Sequence, residues 1–145
     1  MKIYIDADGC PVVNLTVNIA KEYGLEVIIV KNYAHDISSS YASVVTVDIV
    51  ADSADYYIIN RVQKGDIVVT QDYGVAAITI SKEAICITQN GLIISNANID
   101  GLLNSRHLNQ QLRKNKKYYS KIKKRTNEND INFEHQLRAL IKENN

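Results

Sequence analysis

The sequence predicts an α/β fold: a mostly parallel sheet sandwiched in three layers between helices. Apolar runs of strand length alternate with segments of helical period, and most of those runs lack the polar face of a half-exposed strand. Several of the runs end in a carboxylate, at the edge where parallel sheets bind their ligands.

Residues 2–6 read as the first strand, broken by Asp6-Ala7-Asp8-Gly9-Cys10-Pro11. Pro11 suits a helix's first turn, where its missing N–H costs nothing. Val12, Leu15, Ile19 and Tyr23 follow at helical spacing, and Gly24 closes the helix. Residues 25–30 form a doubly buried strand, 32–43 a polar loop and 44–50 another strand. Asp52-Ser53-Ala54-Asp55 opens a helix with Tyr56, Ile59 and Val62 on one face, ended by Lys64-Gly65. Residues 66–70 are a strand stopping at Gln71-Asp72, 75–81 a short helix and 84–88 the next strand. Asn90-Gly91 is a tight-turn signal that folds 92–94 back as a hairpin. Asn98 caps a helix to about residue 112, and Asp130 caps a last one over about 130–142. With one proline, six glycines and no internal repeat, the 145 residues form a single domain over 1–145.

Composition narrows the function classes. Apolar residues make up 46% and charged residues 23%, which excludes a disordered chain. No apolar run has the length of a membrane span, and the N-terminus lacks the regions of a signal peptide. Two cysteines, Cys10 and Cys86, are too few for a disulfide framework, so the expected location is the reducing cytoplasm. The net charge of +1 conceals a division. Residues 1–100 carry six Lys/Arg against twelve Asp/Glu, net −6, while 101–145 carry eleven against four, net +7. A basic end beside an acidic site suits a polyanionic partner.

Asp6 and Asp8 stand at the end of the first strand and share a face if the backbone stays extended. Asp72 lies just past another strand, and Asp52 and Asp55 lie on one face of a helix start. Converging there, these carboxylates would repel one another unless a cation neutralised them. Oxygen-only ligation points to Mg²⁺ or Mn²⁺ rather than zinc. Thr70 is placed to donate a hydrogen bond to one of the carboxylates. Asp66, at the start of its strand and so at the opposite edge, is read as structural. His35, His107 and His135 show no zinc-site spacing, and Cys10 is read as a capping or packing residue.

Three segments carry a resemblance: Tyr4-Ile5-Asp6-Ala7-Asp8-Gly9-Cys10-Pro11-Val12, Asp52-Ser53-Ala54-Asp55, and Gly65-Asp66-Ile67-Val68-Val69-Thr70-Gln71-Asp72. With them, residues 98–106 and 133–140 resemble the YaiI/YqxD family, an uncharacterised bacterial group with a PIN-like nuclease domain. The chain departs from that pattern at Tyr73-Gly74-Val75-Ala76, where relatives tend to carry a proline and a leucine. The resemblance implies a PIN-like sandwich cleaving RNA with carboxylates around one or two divalent ions, Asp6, Asp55 and Asp72 occupying the motif positions. It implies metal-assisted phosphodiester hydrolysis, with Asp6 on the main ion, Asp72 and Asp55 completing its shell, and Asp8 on a second ion or a water. It also admits a scaffold that keeps its shape without catalysis, as an RNA-binding or protein-interaction module.

A basic connector spans about 113–127. Arg113, Lys114, Lys116, Lys117, Lys121, Lys123, Lys124 and Arg125 place eight cations in thirteen residues with no acid, interleaved with Tyr118 and Tyr119. Cations that hold phosphates beside aromatics that stack on unpaired bases fit RNA. The same residues also suit a solvated loop. A competing enzyme class is the haloacid-dehalogenase-type phosphatase, since Asp6-Ala7-Asp8-Gly9 resembles its nucleophile motif and Thr70 and Lys82 imitate later ones. There the motif order is wrong, with Gly65-Asp66 preceding Thr70 and Lys82.

Overall fold

Continuous apolar runs become strands when both their faces find cover. In the computed structural model, which describes residues 1–33, 36–50, 52–114 and 124–145 without the Arg113 side chain, these runs form one sheet. Its strands are Lys2–Asp6 (β1), Glu26–Asn32 (β2), Ser43–Val47 (β3), Ile67–Val69 (β4), Ile85–Ile87 (β5) and Ile93–Ile94 (β6). The first five are parallel; β6 returns antiparallel to β5 after the Asn90-Gly91 turn. Among the described residues five helices complete the fold: Val13–Glu22 (α1), Ser53–Arg61 (α2), Tyr73–Ser81 (α3), Ile99–Lys114 (α4) and Asn127–Asn144 (α5).

Side chains of a strand alternate between faces, so consecutive residues feed separate cores. Ile3, Ile5, Val27, Ile29, Ile67, Val69 and Ile87 pack under α1 and α5, with Ile19, Phe133, Leu137 and Ile141. Tyr4, Ile28, Val30, Val68 and Cys86 pack on the other face with Ile58 of α2, Val75 and Ala76 of α3 and Ile99 of α4. The architecture is a three-layer α/β/α sandwich, and the two cores explain why the strands have no polar face.

The strand order is β3-β2-β1-β4-β5-β6. From β1 the chain builds outward through β2 and β3, then crosses back to β4 and builds the other way. The reversal falls between β1 and β4, whose carboxyl ends therefore open onto a crevice. Asp6 ends β1, and Thr70 and Asp72 follow β4, so the sequence's acidic motifs flank that crevice.

Several boundaries differ from the sequence-based expectation. The strand expected over 44–50 leaves the sheet after Val47, which turns Asp48, Ile49 and Val50 out as exposed residues. Pro11 and Val12 form a turn before the helix rather than its first residues. The short helix starts at Tyr73, because Asp72 caps it by accepting from Gly74 N at 2.8 Å and Val75 N at 3.2 Å. Asn98 braces the entry to α4, accepting from Ser95 N and donating to Ile93 O, both at 2.9 Å. The last helix starts before Asp130: Asn129 Oδ1 accepts from Thr126 N at 2.9 Å, and Asp130 sits in the first turn. No helix among the described residues is long and apolar enough to cross a membrane.

Candidate functional site

The site is built on Asp6, the last residue of β1. Tyr4 packs into the α2–α3–α4 core, so Asp6, two residues on, emerges on that same face beyond the strand's end. Thr70, just past β4, donates from Oγ1 to Asp6 Oδ2 at 3.0 Å. The same hydroxyl oxygen accepts from Asp72 N at 3.0 Å. Burial is the main influence on Asp6 and pushes its carboxyl above the usual range; Asp72 and Asp8 add to the rise, and the Thr70 hydrogen bond opposes it.

Asp8 continues from Asp6 into the turn and accepts from Asn32 N, at the end of β2, at 3.1 Å. From across the crevice, the first turn of α2 brings Asp55. Asp52 precedes that helix in a left-handed conformation (φ 70°) and makes no side-chain cap. Asp6, Asp8, Asp52, Asp55 and Asp72 line one trough of about 250 Å³. Asp48 lines it as well. The sequence reading missed Asp48 because it extended β3 through residue 50; where the strand stops at Val47, Asp48 falls at the trough instead.

The charge of the trough shows most clearly at Asp55, whose pKa is pushed up to about 7. Burial is the largest cause, followed by the negative charges of Asp72 and Asp6 and by a hydrogen bond that the protonated Asp55 donates to Asp72. Asp55 thus holds its proton more firmly than an ordinary carboxyl, beside charges that would repel its ionised form. Arg106 of α4 supplies a cation, its Nη1 3.9 Å from Asp72 Oδ1. Nothing in the spacing of α4 marks Arg106; only the packing of α4 beside α3 brings it to the trough.

Asp6 and Asp8 also border a second cleft of about 220 Å³ with Cys10, Thr70, Gln71 and Gln89. Burial, with the charge of Asp6, pushes the Cys10 thiol up, which agrees with a packing rather than a nucleophilic role. Asp66 lies at the opposite edge, buried, and accepts from Lys2 N and Gln63 N, each at 2.9 Å. Lys82 follows α3 at that same far edge and bonds Ile59 O, so it cannot serve Asp6 as a phosphatase's lysine would.

Of the basic connector, Lys116, Lys117, Tyr118, Tyr119, Lys121 and Lys123 lie outside the described residues, as does the side chain of Arg113. Lys114 ends α4 as an exposed residue, and Lys124 is exposed beside a pocket that it shares with Gln71 and Gln89. Arg125 is engaged within the fold. Its guanidinium donates to Asp130 Oδ1, Asn90 Oδ1 and Gln89 O, fastening the start of α5 to the β5–β6 turn.

The donor chemistry of the trough, hard carboxylate oxygens and, among the described residues, no sulfur or imidazole, fits Mg²⁺ or Mn²⁺. Among the described residues no group of three or more His, Cys, Asp or Glu side chains is drawn tightly enough to hold a metal ion.

Comparison with known proteins follows the same motifs. A family profile described as "Uncharacterized BCR, YaiI/YqxD family" matches residues 4–143. A UPF0178 protein of Alkaliphilus oremlandii is 49% identical over 99% of this chain and 93% of its own length. One of Natranaerobius thermophilus is 45% identical over 97% and 96%, and one of Ruminiclostridium cellulolyticum 49% over 98% and 93%. No solved structure matches the chain.

Proposed function

Given that the chain belongs to the YaiI/YqxD family, we propose that it is a PIN-like, divalent-metal-dependent nuclease that hydrolyses RNA phosphodiester bonds. The observation that carries this reading is the trough at the β1/β4 switch point, where Asp6 and Asp8, Asp55, and Asp72 gather from three separate segments. A structural role accounts for Asp72 as a helix cap, but not for the burial and neighbouring charges that together push the Asp55 pKa up to about 7.

Asp6, Asp8, Asp55 and Asp72, with Asp52 and Asp48 at the rim, would hold Mg²⁺ or Mn²⁺. The bound ion supplies Lewis-acid polarisation of the phosphate and a lowered pKa for the attacking water. Thr70 Oγ1 fixes the rotamer of Asp6 and favours its ionised form. Asp55 would meet a cation as its carboxylate, the proton passing to solvent. Arg106, half-exposed beside Asp72, would offer its guanidinium to a phosphate oxygen of the substrate. Lys114, Lys124 and the cations of the connector supply the sequence-independent attraction for the strand. A cytoplasmic location, where the free thiols of Cys10 and Cys86 stay reduced, belongs to the same reading.

The test is Mn²⁺-dependent cleavage of a labelled RNA by wild type, Asp6→Asn and Asp72→Asn. Loss of cleavage in both variants, with folding intact, is expected. Undiminished cleavage by the double variant overturns the assignment. A wild type that binds RNA, fails to cleave it and gains no thermal stability from millimolar Mn²⁺ is instead a non-catalytic binding module on the same scaffold.

A further inference from the structure

The cleft beside Asp6 and Asp8 continues past Gln71 and Gln89 into a pocket of about 390 Å³ that the carboxylate chemistry does not use. Its other walls are Asn90, Lys124, Arg125, Thr126 and Asn129, so it holds two cations and, among the described residues, no acid. Arg125 is held rigid there. Nε and Nη2 donate to Asp130 Oδ1 at 3.0 and 2.5 Å, Nη1 to Asn90 Oδ1 at 2.7 Å and Nη2 to Gln89 O at 2.9 Å. With four of its five N–H groups engaged, the guanidinium plane is fixed while its side chain stays 23% exposed. A fixed, weakly hydrated plane is a stacking surface for a nucleobase.

The amides around it are oriented by the same kind of bookkeeping. Gln71 Oε1 accepts from Gln89 N at 3.0 Å, Asn90 Oδ1 from Arg125, and Asn129 Oδ1 from Thr126 N at 2.9 Å. Each oxygen is taken up by the protein, which leaves the NH₂ groups as the ends available to donate to a ligand. Together with the Lys124 ammonium they make a pocket of donors. Its complement is a planar group rich in acceptors and bearing a phosphate.

We propose that this pocket is a nucleotide subsite, holding the residue of a single-stranded polynucleotide adjacent to the phosphate above the aspartates. This rests on the nuclease reading for the position of that phosphate. The base stacks on Arg125, its carbonyl oxygens accept from Gln71 and Asn129, and its phosphate meets Lys124. Bases with carbonyl acceptors, uracil and guanine, are favoured over adenine, whose exocyclic amine would oppose donors with a donor.

The experiment is titration of the full chain in EDTA and low salt with UMP, GMP, AMP, inorganic phosphate and the dinucleotide pUpU, followed by the side-chain NH₂ resonances in heteronuclear NMR. UMP and GMP are expected to bind about 5-fold or more tightly than AMP or phosphate, the difference one hydrogen bond makes. The dinucleotide is expected to bind more tightly still, and the Gln71, Asn90 and Asn129 amides to shift. Lys124→Ala and Gln71→Ala, both at exposed positions, are each expected to weaken UMP by about 3- to 10-fold with the melting temperature unchanged. Equal binding of UMP and phosphate, shifts elsewhere, or indifference of both variants overturns the subsite. A dinucleotide no tighter than UMP overturns its assignment to a strand. Because no metal or cleavage is involved, failure here leaves the nuclease reading standing, and an inactive protein that binds UMP in this way fails only that reading.

Discussion

The hydroxyl of Thr70 stands between two aspartates, donating to Asp6 Oδ2 and accepting from the backbone N–H of Asp72, each at 3.0 Å. One small side chain thereby ties the end of β1 to the residue that opens α3. Replacing it with the isosteric Thr70→Val removes the hydrogen bond that holds the Asp6 pKa down and leaves burial unopposed. Mn²⁺ affinity, measured by calorimetry, is expected to fall about 10- to 100-fold, as when a metal ligand loses its supporting hydrogen bond.

Asp55 sets a pH dependence. Its folded-state pKa of about 7 lies above the ordinary carboxylate value of 3.8, so between those values the native state binds a proton that the unfolded chain does not. Its contribution is therefore fully present at low pH and is lost as pH rises through about 7. In metal-free buffer the melting temperature of wild type is expected to fall relative to Asp55→Asn across that window. Millimolar Mn²⁺ at pH 7.5 is expected to restore it. A pH profile identical in the two proteins would contradict the raised pKa of Asp55.

Arg106 acts on the same charge from the other side. Its 3.9 Å pairing with Asp72 is half-exposed, and such pairs amount to about 0.2–1 kcal/mol. Arg106→Gln is therefore expected to tighten Mn²⁺ binding by up to about 5-fold, since the trough loses a competing cation. The same variant is expected to weaken RNA binding in filter assays.

Asp66 provides the contrast at the far edge. Two backbone N–H groups, of Lys2 and Gln63, depend on its carboxylate. Asp66→Ala leaves both without that partner and is expected to cost about 1–3 kcal/mol in urea denaturation. RNA cleavage at a temperature where the variant is folded should be unchanged.

Arg125→Ala should release the start of α5 from the β5–β6 turn. Losing charge-assisted bonds to Asp130, Asn90 and Gln89 is expected to lower stability by about 2–3 kcal/mol, and Arg125→Lys, which cannot reproduce the planar fork, should recover little of it. Denaturant midpoints with unchanged slopes would measure both.

The parallel sheet was legible because residues such as Val27, Ile28, Ile29 and Val30 are apolar on both faces, a pattern that only double cover explains. The neighbourhood of Asp6 and Asp72 was legible because each stands at or just past the carboxyl end of a parallel strand, and β1 and β4 lie side by side. What sequence could not supply was contact across the chain. Arg106 reaches Asp72 only through helix packing, and Asp48 joins the trough only because β3 ends three residues early. From the sequence Arg125 reads as one more phosphate-holding cation of a basic run; its acceptors within the fold, Gln89 and Asn90, are 36 and 35 residues away. The early start of α3 has a local signal that the reading passed over: Asp72 followed by Gly74 is a cap, and a side chain at 74 would place its Cβ 3.1 Å from Asp72 Oδ1.

The pairing of α5 with α1 has a consequence for synthesis. Phe133, Leu137 and Ile141 cover the face of the sheet that α1 shares, and Arg138 reaches Glu22 at 2.7 Å across 116 residues. A nascent chain can therefore thread every strand and assemble the acidic crevice while that face of its sheet carries α1 alone. Until residue 141 has cleared the ribosome, the part that α5 covers is apolar and open to chaperones or to other nascent chains. Contacts this distant in sequence also close slowly, so completion of this core waits on α5, whose first turn also lines the pocket of Gln71 and Lys124.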